Sequence, residues 1–233
     1  MAAVLVTGSA GQVGGAVASR LEAAGRSVTR FDLTGGRDLR DADAVLAATT
    51  GCDAVVHAGA IPHDTAGTPE EIVATNVLGT WHVLTAAEQA GVERVVYLSS
   101  GQVFGCAEGE GVPDYLPIDD EHPRRAARPY GMSKCLAEDM CRRWSARTGV
   151  PTVVFRPVLI LNDRTLVTVD RGGIELDAFV HVDDVAAAIE LGLTMAVPNH
   201  VRAILCGPGR FDTSVAERTL GWRATRSWPT GPA

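Results

Sequence analysis

Val4-Leu5-Val6-Thr7-Gly8-Ser9-Ala10-Gly11-Gln12-Val13-Gly14 is the stretch whose reading decides the fold. Its three leading apolar residues form a buried-strand run. Glycines then recur every third position, and Val13, Val17 and Leu21 continue at the i+4 spacing of one helix face. A strand that passes through a glycine turn straight into a helix sets free amides and the positive helix end beside the strand's carboxyl terminus. That arrangement attracts an anion. Gly8 permits the tight turn, Gly11 lets backbone approach a pyrophosphate, and Gly14 lets the helix lie close on the strand, while Gln12 and Val13 bring the first amides of the helix. The spacing is TGxxGxxG rather than GxGxxG, and its strand-before, helix-after setting is what gives it meaning.

Outward from this turn the chain alternates strands and helices. Ser27 to Phe31 reads as a second strand, with Asp32 at its end. A carboxylate there accepts hydrogen bonds from a ribose 2′-hydroxyl and repels a 2′-phosphate, which favours NAD; Arg30 and Arg37 nearby keep NADP open. Asp38-Leu39 is a second contact, for an adenine ring. Asp38 follows Asp32 too closely for a helix between them, so the usual helix between the second and third strands is expected to be missing or vestigial. Further strands are expected at 54–56, 95–98, 152–155 and 201–205. Helices are expected through Val73, Val77, Leu84 and Ala87, from about Tyr130 to Arg147, and through Val185, Ile189 and Leu193. Continuous apolar strands alternating with helices predict an α/β fold: a doubly wound, Rossmann-type parallel sheet with helices on both faces. Residues 106–128 and 162–177 read as irregular, the second as a hairpin or loop around Gly172-Gly173, and the tail from Trp222 is expected to fray.

Composition excludes several classes. The 233 residues carry 28 acidic and 21 basic side chains, a net charge of -7, which argues against nucleic acid and anionic membranes as partners. Five cysteines, an odd number without a CxxC pair, argue against a disulfide framework or zinc knuckle and fit a reducing compartment. The six histidines show no metal-ligand spacing, so no metal is expected. No basic leader or stretch of about 20 apolar residues occurs, and the expected location is the cytoplasm.

Tyr130-Gly131-Met132-Ser133-Lys134 places a phenol and an ammonium one helical turn apart. A free tyrosine, with a pKa near 10, is a poor base, and a neighbouring cation is expected to lower that value toward what acid–base work requires. Leu98-Ser99-Ser100-Gly101-Gln102-Val103-Phe104-Gly105 follows a predicted parallel strand, at whose carboxyl end ligands bind, and a serine hydroxyl there is able to hold a substrate oxygen.

Together these motifs resemble the extended short-chain dehydrogenase/reductases, the superfamily of NAD-dependent sugar epimerases, dehydratases and uronate dehydrogenases. The resemblance also rests on His57-Ala58-Gly59-Ala60, Asn76-Val77-Leu78-Gly79-Thr80, Pro117, Glu121, Pro123, Arg156-Pro157 and the run from Phe179 to Ala186. It implies that Gly8, Gly11 and Gly14 hold a pyrophosphate and Asp32 the adenosine ribose. Ala58, Gly59 and Ala60 line the cofactor, Asn76 braces the helix behind the site, and Pro157 begins the loop near the nicotinamide. Tyr130 is the implied acid/base, Lys134 the bridge between it and the nicotinamide ribose, and Ser100 the group that orients the substrate. His57 reads as a satisfied histidine rather than a catalyst, and His181 and Asp184 as pins for the last helix. Arg124, Arg125 and Arg128 read equally as a solvated run or as an anion contact.

The chain departs from the resemblance in two ways. Only 24 residues separate Pro157 from Val182, so the C-terminal substrate-binding part is reduced. The expected organisation is a single domain, 1–233, with 1–157 mainly the dinucleotide-binding core and 158–233 the reduced substrate part and tail. A small substrate or a wall borrowed from a partner subunit follows. Gly101-Gln102 stands where the dehydratases carry an acidic pair, which disfavours dehydration. The leading expectation is an NAD(P)-dependent oxidoreductase acting on a secondary alcohol or ketone of a small, sugar-like metabolite, assembled as a homodimer. An epimerase that retains its NAD and a non-catalytic cofactor-binding regulator are the alternatives.

Overall fold

The structure is a computed structural model that describes residues 3–106, 111–168 and 179–226. Its centre is a six-stranded parallel sheet in the order β2-β1-β3-β4-β5-β8, where β1 is Ala3–Thr7, β2 Ser27–Phe31, β3 Ala54–His57, β4 Arg94–Leu98, β5 Thr152–Pro157 and β8 His200–Leu205. Alternate residues divide between two apolar layers. Val4, Val6, Val56, Val96, Val153 and Phe155 face one side, where α1 (Gln12–Ala23), α7 (Val182–Thr194) and α8 (Ser214–Leu220) supply Val17, Leu21, Ile189, Leu193 and Leu220. Leu5, Val55, Val95, Tyr97 and Val154 face the other, against Val45 of α2 (Ala42–Thr49), Val83 and Leu84 of α4 (Gly79–Gln89), and Ala137 and Trp144 of α5 (Pro129–Thr148). A strand buried on both faces needs apolar residues at every position, which is why the strands read as continuous runs.

Because β1 pairs with β2 on one edge and β3 on the other, successive connections leave β1 in opposite directions. The crevice between the carboxyl ends of β1 and β3 is the topological switch point where such sheets bind ligands. The glycine turn at 8–11 opens into it.

Four expectations are revised. The helix between the second and third strands, expected to be missing or vestigial, is present as α2; between Asp32 and Asp38 the chain makes a single 3₁₀ turn, Leu33–Gly35, and no strand forms before α2, so β2 is the sheet edge. Asp41 caps α2 by accepting a hydrogen bond from the Ala44 amide, the signal that marks this helix in the sequence. Segment 162–177 does not begin as a hairpin or loop. Asn162 accepts from the Arg164 and Thr165 amides and starts α6 (Asp163–Thr168), while β6 (Leu159–Leu161) and β7 (Phe179–His181), which flank the segment, pair in parallel. Gly172-Gly173 lie outside the described residues.

The rest of the tail, 227–233, lies outside the described residues, but Trp222 does not fray. Its ring is buried, its indole N–H donates to the Asp184 carbonyl at 2.8 Å, and the Asp184 carboxylate accepts from the Thr225 hydroxyl and the Thr225 and Arg226 amides. Asp184 therefore pins the C-terminal segment to α7, and α8, not α7, is the last helix. His181 caps α7 by accepting from the Asp183 amide.

Candidate active site

The glycine turn is shaped by close backbone approach. Gly8 has φ +68°, in the left-handed region, and a Cβ there would lie 2.6 Å from the Gly59 Cα. A Cβ on Gly14 would lie 2.1 Å from the Gly8 carbonyl oxygen, so this glycine lets the first turn of α1 close over the loop itself. No side chain caps α1 at Gly11, and no acidic residue occupies its first turn. The amides and the dipole of that helix end are left for an external anion, which is the chemistry a diphosphate requires.

Asp32, at the end of β2, accepts from the Ala10 amide at 3.0 Å and from the Thr34 amide and hydroxyl at 2.9 Å. Partial burial pushes its carboxyl up, but these hydrogen bonds outweigh it and leave the pKa below the ordinary aspartate value. The group is a fixed anion that ties the sheet edge to the glycine turn. Gly8, Asp32, Asp38, Leu39, Gly59 and Ala60 line one cavity of about 350 Å³, so six residues singled out in the sequence converge. Asp38 spends its carboxylate on a forked pair with Arg40, and Leu39 is largely buried under Gly59 and Gly79. Arg30 is bound to Glu22 and reaches the Ser9 carbonyl only at 3.4 Å. Arg37 donates to the Arg30 carbonyl. Both arginines are engaged, which weakens the case for a 2′-phosphate.

The far wall is braced through buried side chains. The Thr80 hydroxyl donates to the Asn76 carbonyl, so His57 Nε2 is the donor to Thr80 at 3.0 Å and Nδ1 accepts from Thr7 at 2.7 Å. Thr7 Oγ1 in turn accepts from the Gly59 amide. Burial, aided by the Lys134 charge, drops the imidazole to about 3, and His57 is a neutral strut. Asn76 sits in a π-helical turn, Ala74–Leu78, between α3 (Pro69–Val73) and α4. Its Oδ1 accepts from the Ile61 amide, and its Nδ2 donates to the Ile61 carbonyl and to Ser133 Oγ on α5. It thus joins the loop after β3, on which Ala58 and Ala60 lie, to the helix that carries Tyr130. Such π insertions recur at functional sites.

Ser100, Tyr130 and Lys134 come together beyond the carboxyl end of β4. The Ser100 hydroxyl lies near the Tyr130 phenol and favours its phenolate form. It also accepts from the Gln102 amide at 3.1 Å, capping the 3₁₀ turn Gly101–Phe104. Lys134 Nζ donates to the Leu98 carbonyl at 2.7 Å and lies 5.0 Å from the centre of the Tyr97 ring and 5.8 Å from that of Tyr130. Contrary to the expectation from sequence, the ammonium does not dominate the phenol. Burial raises Tyr130 to about 12, the Ser100 hydrogen bond opposes this, and the charge of Asp64 adds to it. Burial also lowers Lys134 to about 8, against the pull of Glu138.

Sequence reasoning missed what lies behind this group. Arg156 is fully buried and grips Glu138 with two hydrogen bonds, Nε to Oε1 at 2.8 Å and Nη2 to Oε2 at 2.6 Å. Glu138 also accepts from the Ser99 hydroxyl at 2.7 Å, next to Ser100 in sequence and one helical turn from Lys134. Arg156 further donates to the Asp120 carbonyl, and the Asp120 carboxylate accepts from the Ile204 amide. Burial opposes ionisation of Glu138, but Arg156 wins and holds it below the usual glutamate range; Asp120, less well paired, is pushed up to about 7. The legible signal was an arginine inside the apolar strand Thr152-Val153-Val154-Phe155-Arg156, which demands a buried partner. Arg124 pairs with Asp139 and reaches Glu138, and Arg125 pairs with Asp114, so neither is an uncommitted anion contact. Pro157 ends β5, whose neighbours in the sheet are β4 and β8. Among the described residues no group of three His, Cys, Asp or Glu side chains is placed to hold a metal, and no helix is long and apolar enough to cross a membrane.

The sequence profile of the NAD dependent epimerase/dehydratase family matches residues 4–164. The chain belongs to that family. A uronate dehydrogenase of Pseudomonas putida is 32% identical over 165 residues, 66% of this chain and 59% of that protein. A UDP-glucose 4-epimerase of Streptomyces lividans is 32% identical over 168 residues, 64% of this chain and 49% of its own length. The match thus spans about three fifths or less of these curated relatives. A short-chain dehydrogenase/reductase superfamily protein of Agrobacterium tumefaciens, crystallised with bound NAD, superposes with a TM-score of 0.81 at 25% identity, covering 97% of this chain and 93% of that one. A uronate dehydrogenase of the same organism superposes at 0.76 and 26% identity, covering 100% and 91%. The family assignment and the Rossmann-type sheet agree with the resemblance drawn from the sequence.

Proposed function

We propose that this chain is an NAD-dependent oxidoreductase that moves a hydride between nicotinamide and a secondary alcohol or ketone of a small, sugar-like metabolite. The observation that carries this reading is the gathering of Ser100 and Tyr130 beside Lys134, on the same edge of the sheet as a glycine turn with an uncapped helix end. The cofactor fits this chain. The first turn of α1 holds its diphosphate, Asp32 its adenosine ribose, and Ala58, Gly59, Ala60, Asn76, Lys134 and Pro157 its remaining length. When bound, NAD accepts or returns the hydride.

The chain's own groups handle the proton and the alignment. A phenol near 12 is protonated at neutral pH and is the proton source for a carbonyl oxygen held by Ser100, while burial makes it a weaker acid than free tyrosine. In the opposite direction Tyr130 must first lose that proton, so oxidation is expected to accelerate as pH rises. Lys134, at about 8, is mostly cationic at neutral pH and favours the phenolate when it forms. Residues 1–157 form the dinucleotide-binding core in this reading and 158–233 the reduced substrate part. Five cysteines of which none is joined in a disulfide suit a reducing, cytoplasmic setting.

Gly14→Ala is expected to weaken NAD binding at least about tenfold, because the added methyl must push the Gly8 carbonyl out of the turn. A fluorescence titration with NADH checks it. The epimerase reading draws on the UDP-glucose 4-epimerase relatives. Two measurements separate the readings. Denaturing the purified protein releases about one NAD per chain if it is an epimerase, and little if it is a dehydrogenase. Nicotinamide absorbance across a panel of uronates, aldoses and small ketones reports net turnover only for the dehydrogenase, and silence across the whole panel contradicts it.

We further read the chain as a homodimer. Val73, Leu78 and Trp81 on one side and Met132 and Leu136 of α5 on the other expose apolar surface, Trp81 being 53% exposed, around a groove that reaches Met140. A second copy presenting the same helices would cover it isologously. Light scattering of wild type and Trp81→Glu tests this: a dimer that becomes a monomer supports it, and a monomeric wild type contradicts it.

A further inference from the structure

The helix that carries Tyr130 begins without a cap of its own. Its N-cap is Arg128, which makes no side-chain capping bond, and its first turn holds no acidic residue. The first amides of a helix need an acceptor, and its positive end favours a negative one. That acceptor comes from another part of the chain. Asp64 Oδ1, in the loop between β3 and α3, accepts from the Tyr130 amide at 2.8 Å. The same loop is tied to α5 a second time, through Asn76, which holds the Ile61 backbone with one end and Ser133 with the other. Ser133 donates in turn to the Tyr130 carbonyl. Tyr130 is thus held at its amide by Asp64 and at its carbonyl by Ser133, both contacts tracing back to the loop that carries Ala58, Gly59 and Ala60.

We propose that Asp64 is a positioning residue, capping α5 at the Tyr130 amide so that the loop after β3 fixes the phenol and sets the pH range over which it exchanges its proton. The inference rests on the oxidoreductase reading above for its catalytic consequence. The physical cause is simple. The helix end by itself stabilises a phenolate two positions inside it, and an aspartate seated on that end cancels the effect. The Asp64 charge accordingly raises the phenol, alongside burial. Other groups around Tyr130 act differently. Ser100, from the β4 side, pulls the phenol down. Lys134, on the same helix, spends a proton on the Leu98 carbonyl. From α3, Glu71 closes a capping box with Thr68. Asp64 is the anion seated on the tyrosine's own backbone.

Asp64→Asn keeps an oxygen able to accept from the Tyr130 amide and removes the charge. With the most active panel substrate, the acidic limb of the oxidation pH profile is expected to move about half a pH unit lower, the size of a helix-end charge effect, with the plateau rate changed little. A second readout needs no turnover. The chain has three tyrosines. In protein labelled at tyrosine ¹³Cζ, with the Tyr130 resonance assigned from Tyr130→Phe, that resonance at a fixed alkaline pH lies further toward the phenolate position in Asp64→Asn than in wild type. An unchanged resonance and superimposable pH profiles overturn the proposal. If the resonance moves while Tyr130→Phe retains full turnover, the placement of Asp64 stands and the oxidoreductase mechanism fails. Where the two readouts differ, the resonance decides.

Discussion

Tyr130→Phe is expected to leave affinity for the nicotinamide cofactor nearly intact and to lower turnover by about 10²–10⁴-fold, the usual worth of a positioned acid–base group. The substitution removes a single oxygen from a buried ring whose backbone stays tied to Asp64 and Ser133. The lost hydroxyl lies near Ser100, so the serine alone is left to hold the substrate oxygen and no group remains to exchange the proton. Steady-state rates beside an NADH titration check both halves. Loss of binding together with turnover would mean that Tyr130 supports the fold rather than the chemistry.

The largest expected effect on stability lies behind the site. Glu138→Ala is expected to cost about 3–5 kcal/mol, because it strands the Arg156 guanidinium without its forked partner in a fully buried position. Urea unfolding followed by far-ultraviolet circular dichroism measures the loss. The paired replacement Glu138→Leu with Arg156→Met should recover much of it, since removing both charges avoids the stranded one; Asp120, already pushed up to about 7, can then take a proton. Recovery of fold without recovery of rate would show that the ion pair aligns the serine loop through Ser99. A Glu138→Ala protein as stable as wild type would show that water reaches Arg156.

The sheet and the glycine turn were legible because each follows from a local pattern. Strands buried on both faces must be apolar throughout, and a TGxxGxxG turn between strand and helix leaves few other readings. Helix α2 was harder to see, since its cap, Asp41, lies among other charged residues and the missing neighbouring strand removes the usual landmark. The stretch from Trp222 to Arg226 looked loose because Pro229, Gly231 and Pro232 follow it, while the contact that holds it is an aspartate 38 residues or more away. The same limit applies to the site. Tyr130 and Lys134 announce themselves by spacing on one helix. Glu138, Asp64 and Asp120 act across the fold, and only Arg156, conspicuous in its strand, hinted that a buried partner must exist. Local spacing predicted that Lys134 would tune the phenol, whereas burial, a relation of the whole fold, sets its value.

The central claim is that one crevice holds the dinucleotide and presents it to the Ser100–Tyr130 pair. A crystal structure of this chain grown with NAD tests that most directly. The diphosphate is expected on the first amides of α1, the adenosine ribose on Asp32 and the nicotinamide ring beside Tyr130. A dinucleotide seated elsewhere, or one whose nicotinamide lies out of reach of the Tyr130 hydroxyl, would contradict it.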